Sequence, residues 1–564
     1  MKLPNRLIST VLTAVVATTM AFAPASQAAL DCDYVAKHIT TAQTPDKGFV
    51  KWSVKFRETT GTAYNSTPCF TASNIYIYSY KSLYCLDYNG NILKKLDLAT
   101  EMNSACKMIL QDDSLYIPLS KGNIVCIDIG TFSQKWTFNM QEGQSLCNIL
   151  YHEGMIYTGV TNGAGTEGAF YGINADTGKE AWRYSCDEDP CGFYWSGAAT
   201  DGKHIVFGGD NGKIVIHDAK ENILYDVKDI EDTPLGDTKK IRSSVIYDAE
   251  SGCFYLNSTA ANIYRFSLDG DGKITDLIGE SLGANKLSNA NCTTAPIIYK
   301  NKIFTCSYQN SEGCITILSK DFSQKRVIRR KGSPLADIKS TPLISEVNNS
   351  SEHKISIYFT QNFPPGGIYS LTYLYDKEQY SEVNTVFEPV NDTQFCISDI
   401  AADESGNLYY SNDSGRFFCI RQRKDGDVDP TPRPTVTPAA SPSSTGNPSI
   451  AKKTSKASDK MNKILKKYKK SGLIKPPKRI KFISKKQSGK KHIVTFKWIK
   501  GKKSKKTLII LLRTTKGTTY YKSYIIAGKK KKIKLSKGKY KVYFYGLKNK
   551  KISSKRVYKK VGIV

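Results

Sequence analysis

Acidic residues are nearly absent from the last fifth of this chain. Residues 451–564 hold 41 lysines and arginines against a single carboxylate, Asp459. The first 450 residues hold 41 bases and 50 acids, so a mildly acidic body is joined to a polycationic tail. Such asymmetry gives the two parts different partners. Arginine is scarce in the tail too: Arg479, Arg513 and Arg556 stand among 38 lysines. Base-specific and bidentate phosphate recognition relies on arginine, so nucleic acid is not the expected partner. Lysine-dominated charge acts as a diffuse, salt-sensitive field. It suits an anionic cell-wall polymer such as a teichoic acid, or an anionic membrane surface. The acidic body of the same chain is the alternative partner.

Histidine, adjacent cysteines and long apolar runs are also in short supply. None of the six histidines pairs at ligand spacing with another or with a cysteine cluster, which argues against zinc. No Cys-Cys pair and no Cys-x-x-Cys-His haem motif occurs. After residue 23 no apolar run is long enough to span a bilayer. The run Leu7–Ala23 follows Lys2 and Arg6 and precedes Ser26-Gln27-Ala28-Ala29, the layout of a signal peptide over residues 1–29. The mature chain is therefore expected to be secreted and extracellular, associated with the cell wall of a Gram-positive bacterium.

Fourteen cysteines fall between Cys32 and Cys419. Cys85, Cys126 and Cys419 occupy one slot of a repeat, so they should lie too far apart to pair and should serve as small buried residues. Cys186 and Cys191 flank a short loop and are the best local disulfide candidate.

The repeat begins near Thr67, Ala105, Asn148, Gly197, Ser244, Ala295, Thr341 and Asp399, at a mean interval of about 47 residues. Each copy opens with small residues, as in Ser66-Thr67-Pro68, Thr294-Ala295-Pro296 and Ser340-Thr341-Pro342. A β-rich strand, a polar turn and a third strand follow, and the better copies add a fourth strand. Four strands at this period predict the blades of an all-β, eight-bladed β-propeller, with seven blades as the alternative. The small residues belong on the innermost strands, which crowd a central channel. The last copy lacks a fourth strand. The orphan strand Phe49–Phe56, with Trp52 at the tryptophan slot, is expected to supply it and so remove an exposed edge.

The best-kept copy is Gly172-Ile173-Asn174-Ala175-Asp176-Thr177-Gly178-Lys179-Glu180-Ala181-Trp182. Asp176, Thr177 and Gly178 are read as its turn and Trp182 as its anchor; Trp136 and Trp52 are the other anchors. In the Cys126–Trp136 copy, Phe132 replaces the glycine. This stretch resembles the tryptophan-docking motif of quinoprotein-like (PQQ-type) β-propeller repeats, over roughly residues 45–423. The resemblance implies that the tryptophans clasp neighbouring blades and bind no quinone. It does not extend to the adjacent cysteines of quinoprotein dehydrogenases, so no PQQ and no other cofactor is expected.

Residues 429–449, rich in Pro, Ser and Thr, read as an extended linker. Residues 456–473 read as a basic amphipathic helix, with Ser458 as N-cap, Met461, Ile464, Leu465 and Tyr468 on one face, and Gly472 at its stop. Residues 478–564 alternate as about seven strands, a small lysine-rich β-sandwich. Trp498 and the Leu535/Tyr540-x-Val542 spacing resemble a fibronectin type III pattern.

Two sites stand out. Phe193, Tyr194 and Trp195 immediately precede an innermost strand, where a loop opens onto the channel face and aromatic rings can stack on a sugar or grip a peptide. Asp269 and Asp271 resemble part of a calcium loop, with a plain polar turn as the competing reading. Together these features predict a non-catalytic, WD40-like platform on the cell surface that binds a protein or glycan ligand and is held there by the basic module. A quinone-dependent oxidoreductase or other extracellular enzyme, and an envelope assembly scaffold, are the alternatives.

Overall fold

The computed structural model describes residues 36–56, 65–102, 107–140, 143–162, 166–186, 191–283, 289–347, 353–429, 464–465, 468–471, 474–486, 491–500, 503–514, 518–536, 538–549, 551–553 and 557–563. The expected signal peptide, and the expected linker beyond Asp429, lie outside them. The chain divides into two compact units, Met1–Pro434 and Thr435–Val564.

The first unit is all β apart from two short 3-10 turns, and its strands form eight sheets among the described residues. The second sheet is representative: Ile109–Gln111, Ser114–Leu119, Asn123–Asp128 and Ser133–Asn139 pair in sequence order, all antiparallel. Burial is greatest on the second and third strands of the sheets and falls towards the outermost. In the first sheet Ile75–Ser79 is buried throughout, whereas Ile92–Asp97 is almost wholly exposed. A strand buried on both faces reads as a continuous apolar run, and these second strands do so.

Each hydrophobic cluster of this unit straddles two neighbouring sheets. One joins Tyr78 and Leu83 to Leu115 and Val125, and another joins Val206 and Ile216 to Phe254 and Tyr264. The series closes on itself. Ile75, Ile77 and Leu86 of the first sheet pack with Tyr409, Phe417 and Cys419 of the last. That last sheet takes its outer strand from the N-terminal side: Gly48–Lys55 lies antiparallel to Arg416–Gln422, with Trp52 opposite Cys419. The result is a propeller-like ring of sheets, closed by a strand from the other end of the unit.

The ring also takes in residues upstream of 45. Ile39–Thr40 pairs in parallel with Leu343–Val347, on the side away from Lys354–Thr360. Thr44 and Pro45 then hydrogen-bond with the Tyr358 hydroxyl. A segment without hydrophobic periodicity can be ordered this way, because backbone pairing carries no side-chain signature.

The second unit is a small β-sandwich. Lys478–Lys486, Lys491–Ile499 and Lys530–Ser536 form a three-stranded sheet, and a larger sheet is built around Lys506–Thr514 and Gly538–Lys548. Val494, Phe496, Trp498, Ile533 and Leu535 of the first face Ile509, Leu511, Tyr540, Val542 and Phe544 of the second. The helix expected over 456–473 needs correction. Residues 456–463 lie outside the described residues, Ile464 and Leu465 are helical, and Lys469–Ser471 is a strand parallel to Lys551–Ser553. An open sheet edge satisfies those backbone groups as a last helical turn would. The expected apolar stripe is used nonetheless: Ile464, Leu465 and Tyr468 pack on Leu508, Ile510 and Leu512, on the outer face of the larger sheet.

Candidate functional site

The tryptophans come first, because they set how neighbouring sheets meet. Trp136 Nε1 donates to the Ala175 carbonyl at 2.9 Å, Trp52 Nε1 to Tyr88 at 3.0 Å and Trp182 Nε1 to Ala219 at 3.5 Å. Each acceptor lies in the following sheet's third-strand turn. A register shift precedes each tryptophan, leaving Lys51, Lys135 or Ala181 unpaired. Such a bulge re-aims a side chain. The residue opposite each indole is small: Cys419, Cys126 and Gly172. A Cβ on Gly172 would stand 2.4 Å from Trp182 Nε1. Cys85, Cys126 and Cys419 are all buried thiols, as expected, and burial pushes Cys126 up to about 11 and Cys419 to about 12.

The turn falls at Asp176, Thr177 and Gly178, as expected, and Asn174 closes it. Asn174 Oδ1 accepts from Thr177 N at 2.9 Å and from Thr177 Oγ1 at 2.8 Å, whereas Asp176 is exposed. Asp128 does the same for Thr131. Asn and Asp close such turns by reaching two or three residues ahead, which Asp176 is placed too late to do. Gly178 has φ +66°, and Trp136 covers it so closely that a Cβ would fall 2.5 Å from the ring. Tyrosines form a second set of clasps that the sequence pattern did not reveal. Tyr157 donates to Ala219 O at 2.7 Å and Tyr255 to Lys320 O at 3.3 Å.

Inside the ring, the small residues that open each repeat meet one another. Val245 N donates to Gly197 O, Ala295 N to Thr341 Oγ1, and Thr341 N to Asp399 Oδ1. Three serines extend this pattern, because Ser66, Ser243 and Ser340 accept from Tyr78 N, Asn257 N and Thr360 N of their own second strands. A hydroxyl here replaces a strand partner while leaving room at the crowded axis.

These strand starts surround a small, partly open cavity of about 20 Å³, lined by Lys107, Leu146, Asn148, Trp195, Ser244, Thr293, Ala295, Lys339 and Ile397. Its polar groups are held in pairs. Asn148 Nδ2 donates to Ser244 Oγ, Lys107 Nζ lies 2.7 Å from Asp399, and Lys339 Nζ lies 3.0 Å from Asp337. His38 Nε2 is 3.5 Å from the same Asp399 oxygen. Burial alone would raise Asp399, but the charge of Lys107, together with His38, brings it below the usual carboxylate range.

Trp195 is the exception. Its φ is +60°, a region that bulky side chains rarely enter. Its indole Nε1 is buried with no hydrogen-bond partner. Lys339 Nζ sits 5.6 Å from its ring centroid, and Tyr194 packs edge-on at 5.0 Å. Tyr194 in turn lies 4.3 Å beneath the Arg242 guanidinium, which Asp210 holds through two hydrogen bonds. Phe193 does not belong with them. It is fully buried against Phe170 and Phe207, because its position points into the contact between the third and fourth sheets.

The remaining expected site residues lie elsewhere. The Sγ atoms of Cys186 and Cys191 stand 2.6 Å apart, on either side of 187–190, which lie outside the described residues. Asp269 Oδ1 accepts from the backbone of Asp271 and Lys273, so it closes its own turn. Among the described residues no group of three or more His, Cys, Asp or Glu side chains is placed to hold a metal ion.

The repeat, its inter-sheet docking and the closed ring define a β-propeller. A family model described as outer membrane protein assembly factor BamB matches residues 120–346. Solved structures similar to this chain include BamB from Moraxella catarrhalis, at 11% identity over 66% of this chain and 99% of that one, with a TM-score of 0.47. Quinohemoprotein alcohol dehydrogenase from Comamonas testosteroni is similar at 11% identity over 71% and 82%, TM-score 0.46. The C-terminal WD40 domain of Sif2 is similar at 11% over 67% and 100%, TM-score 0.46. At such identities the likeness concerns the fold alone. Among curated proteins none matches the sequence.

Proposed function

We infer that the propeller is a non-catalytic platform that takes a protein segment or glycan at the Trp195 mouth. The lysine-rich unit would retain it at an anionic envelope surface outside the cell. The observation that carries the reading is Trp195 itself. A strained aromatic residue with an unsatisfied buried N–H lines a small, partly open cavity at the centre of the ring. Leaving that donor unpaired costs about 1–3 kcal/mol, which a ligand's carbonyl or hydroxyl oxygen would recover once the ring turns its N–H, now closed to solvent, towards the mouth. The flanking amide, hydroxyl and ammonium groups are already paired to neighbours, which favours holding a ligand over acid–base chemistry.

The test is binding of the full chain to solubilised cell-wall fragments, digested separately with glycosidase and with protease. The signal should vanish in Trp195→Ala and with one of the two digestions. Unchanged binding in Trp195→Ala would remove the mouth from the site. Dye-linked oxidation of alcohols by protein supplied with PQQ and calcium would replace this reading with the oxidoreductase. The name of the matching family model favours a second reading, an envelope assembly scaffold. Co-purification of a stoichiometric protein partner that Trp195→Ala leaves in place would support it.

A further inference from the structure

We propose that the outward face of the three-stranded sheet in the second unit binds a linear polyphosphodiester. This rests on the retention role inferred above and assigns it to one surface. The strands Lys478–Lys486, Lys491–Ile499 and Lys530–Ser536 contain ten lysines and Arg479 in 25 residues, with no acid. Their register stacks like charges. Lys481 lies opposite Lys497, which lies opposite Lys530, and Lys532 lies opposite Thr495, two residues along. All four lysines are exposed. The buried residues Val494, Phe496 and Trp498 alternate with them and face the core.

Like charges directly opposite one another destabilise a sheet, and lysine is depleted from strands. Lysine on an edge strand has an ordinary purpose, which is to block edge-to-edge pairing. That purpose does not apply to Lys497, which sits on the central strand with both neighbours paired. A partner that brings negative charge resolves the conflict. Strands are spaced about 4.8 Å apart and alternate residues about 6.8 Å along each strand, so the face is a lattice of single charges. Lysine binds phosphate as a point charge, without the bidentate geometry of arginine. A polymer with one negative charge per repeat matches such a lattice. A bilayer fits less well, because stable membrane attachment takes a second, apolar signal beside a basic patch. Among the described residues of this unit the exposed large apolar side chains are Ile499 and Ile525, and Ile464, Leu465 and Tyr468 cover part of the larger sheet's outer surface.

The probe is synthetic poly(glycerol phosphate), with the full-length protein titrated at several salt concentrations. Lys481→Gln/Lys497→Gln/Lys530→Gln is compared with Lys505→Gln/Lys506→Gln/Lys548→Gln, which removes the same charge from exposed positions of the larger sheet. The first should weaken binding at least tenfold and lower the salt slope by about 2, taking about 0.7 per contact. The second should weaken it by less than threefold. Equal losses would overturn the assigned face and leave retention as a diffuse charge effect. Binding to phosphatidylglycerol vesicles but not to the polymer would overturn the polymer. If the wild type binds neither, the retention reading falls with it. Circular dichroism checks each variant's fold, and the single Lys497→Gln, expected to lose two- to fourfold, replaces the triple if that fails to fold.

Discussion

Trp52 donates its indole N–H to the Tyr88 carbonyl at 3.0 Å, and through this bond residues from the last sheet clasp the first. Gly90 lies under the same ring, where a Cβ would stand 2.6 Å from Cδ2. The contact joins the two ends of the ring, so its loss opens an edge as well as a cavity. Trp52→Ala should cost about 3 kcal/mol, and Trp52→Phe, which keeps most of the packing and loses the hydrogen bond, about 1 kcal/mol. Urea denaturation of the two variants measures both. Equal, small losses would mean that the ring is closed by backbone pairing alone.

Gly178 and Gly202 separate backbone strain from crowding. Both have positive φ, at +66° and +101°, but only Gly178 is covered, by Trp136. Gly202→Ala should cost about 1 kcal/mol for its backbone conformation. Gly178→Ala should cost at least about 1 kcal/mol more, because the indole must move. Near-UV circular dichroism should report the displaced tryptophan in Gly178→Ala only.

The parts of this fold that were legible in the sequence depend on period or on residue size. The copies near Thr67 to Asp399, the orphan Trp52 strand and the small residues at the axis all leave such marks. What escaped the reading has a common physical origin. Asp176, Thr177 and Gly178 mark the turn by type, but Asn174, which closes it, is picked out only by its distance from Thr177. Phe193 looked like its aromatic neighbours, and only the backbone direction sends it inward. Tyr157 and Tyr255 act through hydroxyls at the ends of apolar strands, where a tyrosine reads as core. Ile39–Thr40 is held by backbone hydrogen bonds, which no residue type announces.

Trp195 should trade stability for binding. Its left-handed backbone stores roughly 1–3 kcal/mol of strain, which Trp195→Gly releases while losing the ring's packing on Tyr194. The two effects offset, so thermal stability should change by less than about 1 kcal/mol while wall-fragment binding is lost. A large destabilisation would make Trp195 a structural residue and remove the main support for the proposed mouth.

Two aspartates should respond to pH in opposite directions. Asp399 has its folded value depressed, so the stability that it contributes is present above the unfolded value near 3.9 and is lost as pH falls below it. Asp399→Asn leaves Lys107 and His38 facing a neutral group and should cost about 3 kcal/mol at pH 7, with the deficit shrinking below pH 4. Asp413 is raised to about 6 by burial, so its folded form favours the proton. That penalty is absent below about pH 4, grows as pH rises towards 6 and is complete at 7. Asp413→Asn should therefore stabilise the protein at pH 7, by about 1 kcal/mol once solvent screening of this partly exposed group is allowed for, and should have no effect at pH 3.5. Chemical denaturation of both variants at pH 3.5, 5 and 7 checks the signs. If Asp413→Asn destabilises at pH 7, its carboxylate is paired rather than merely buried.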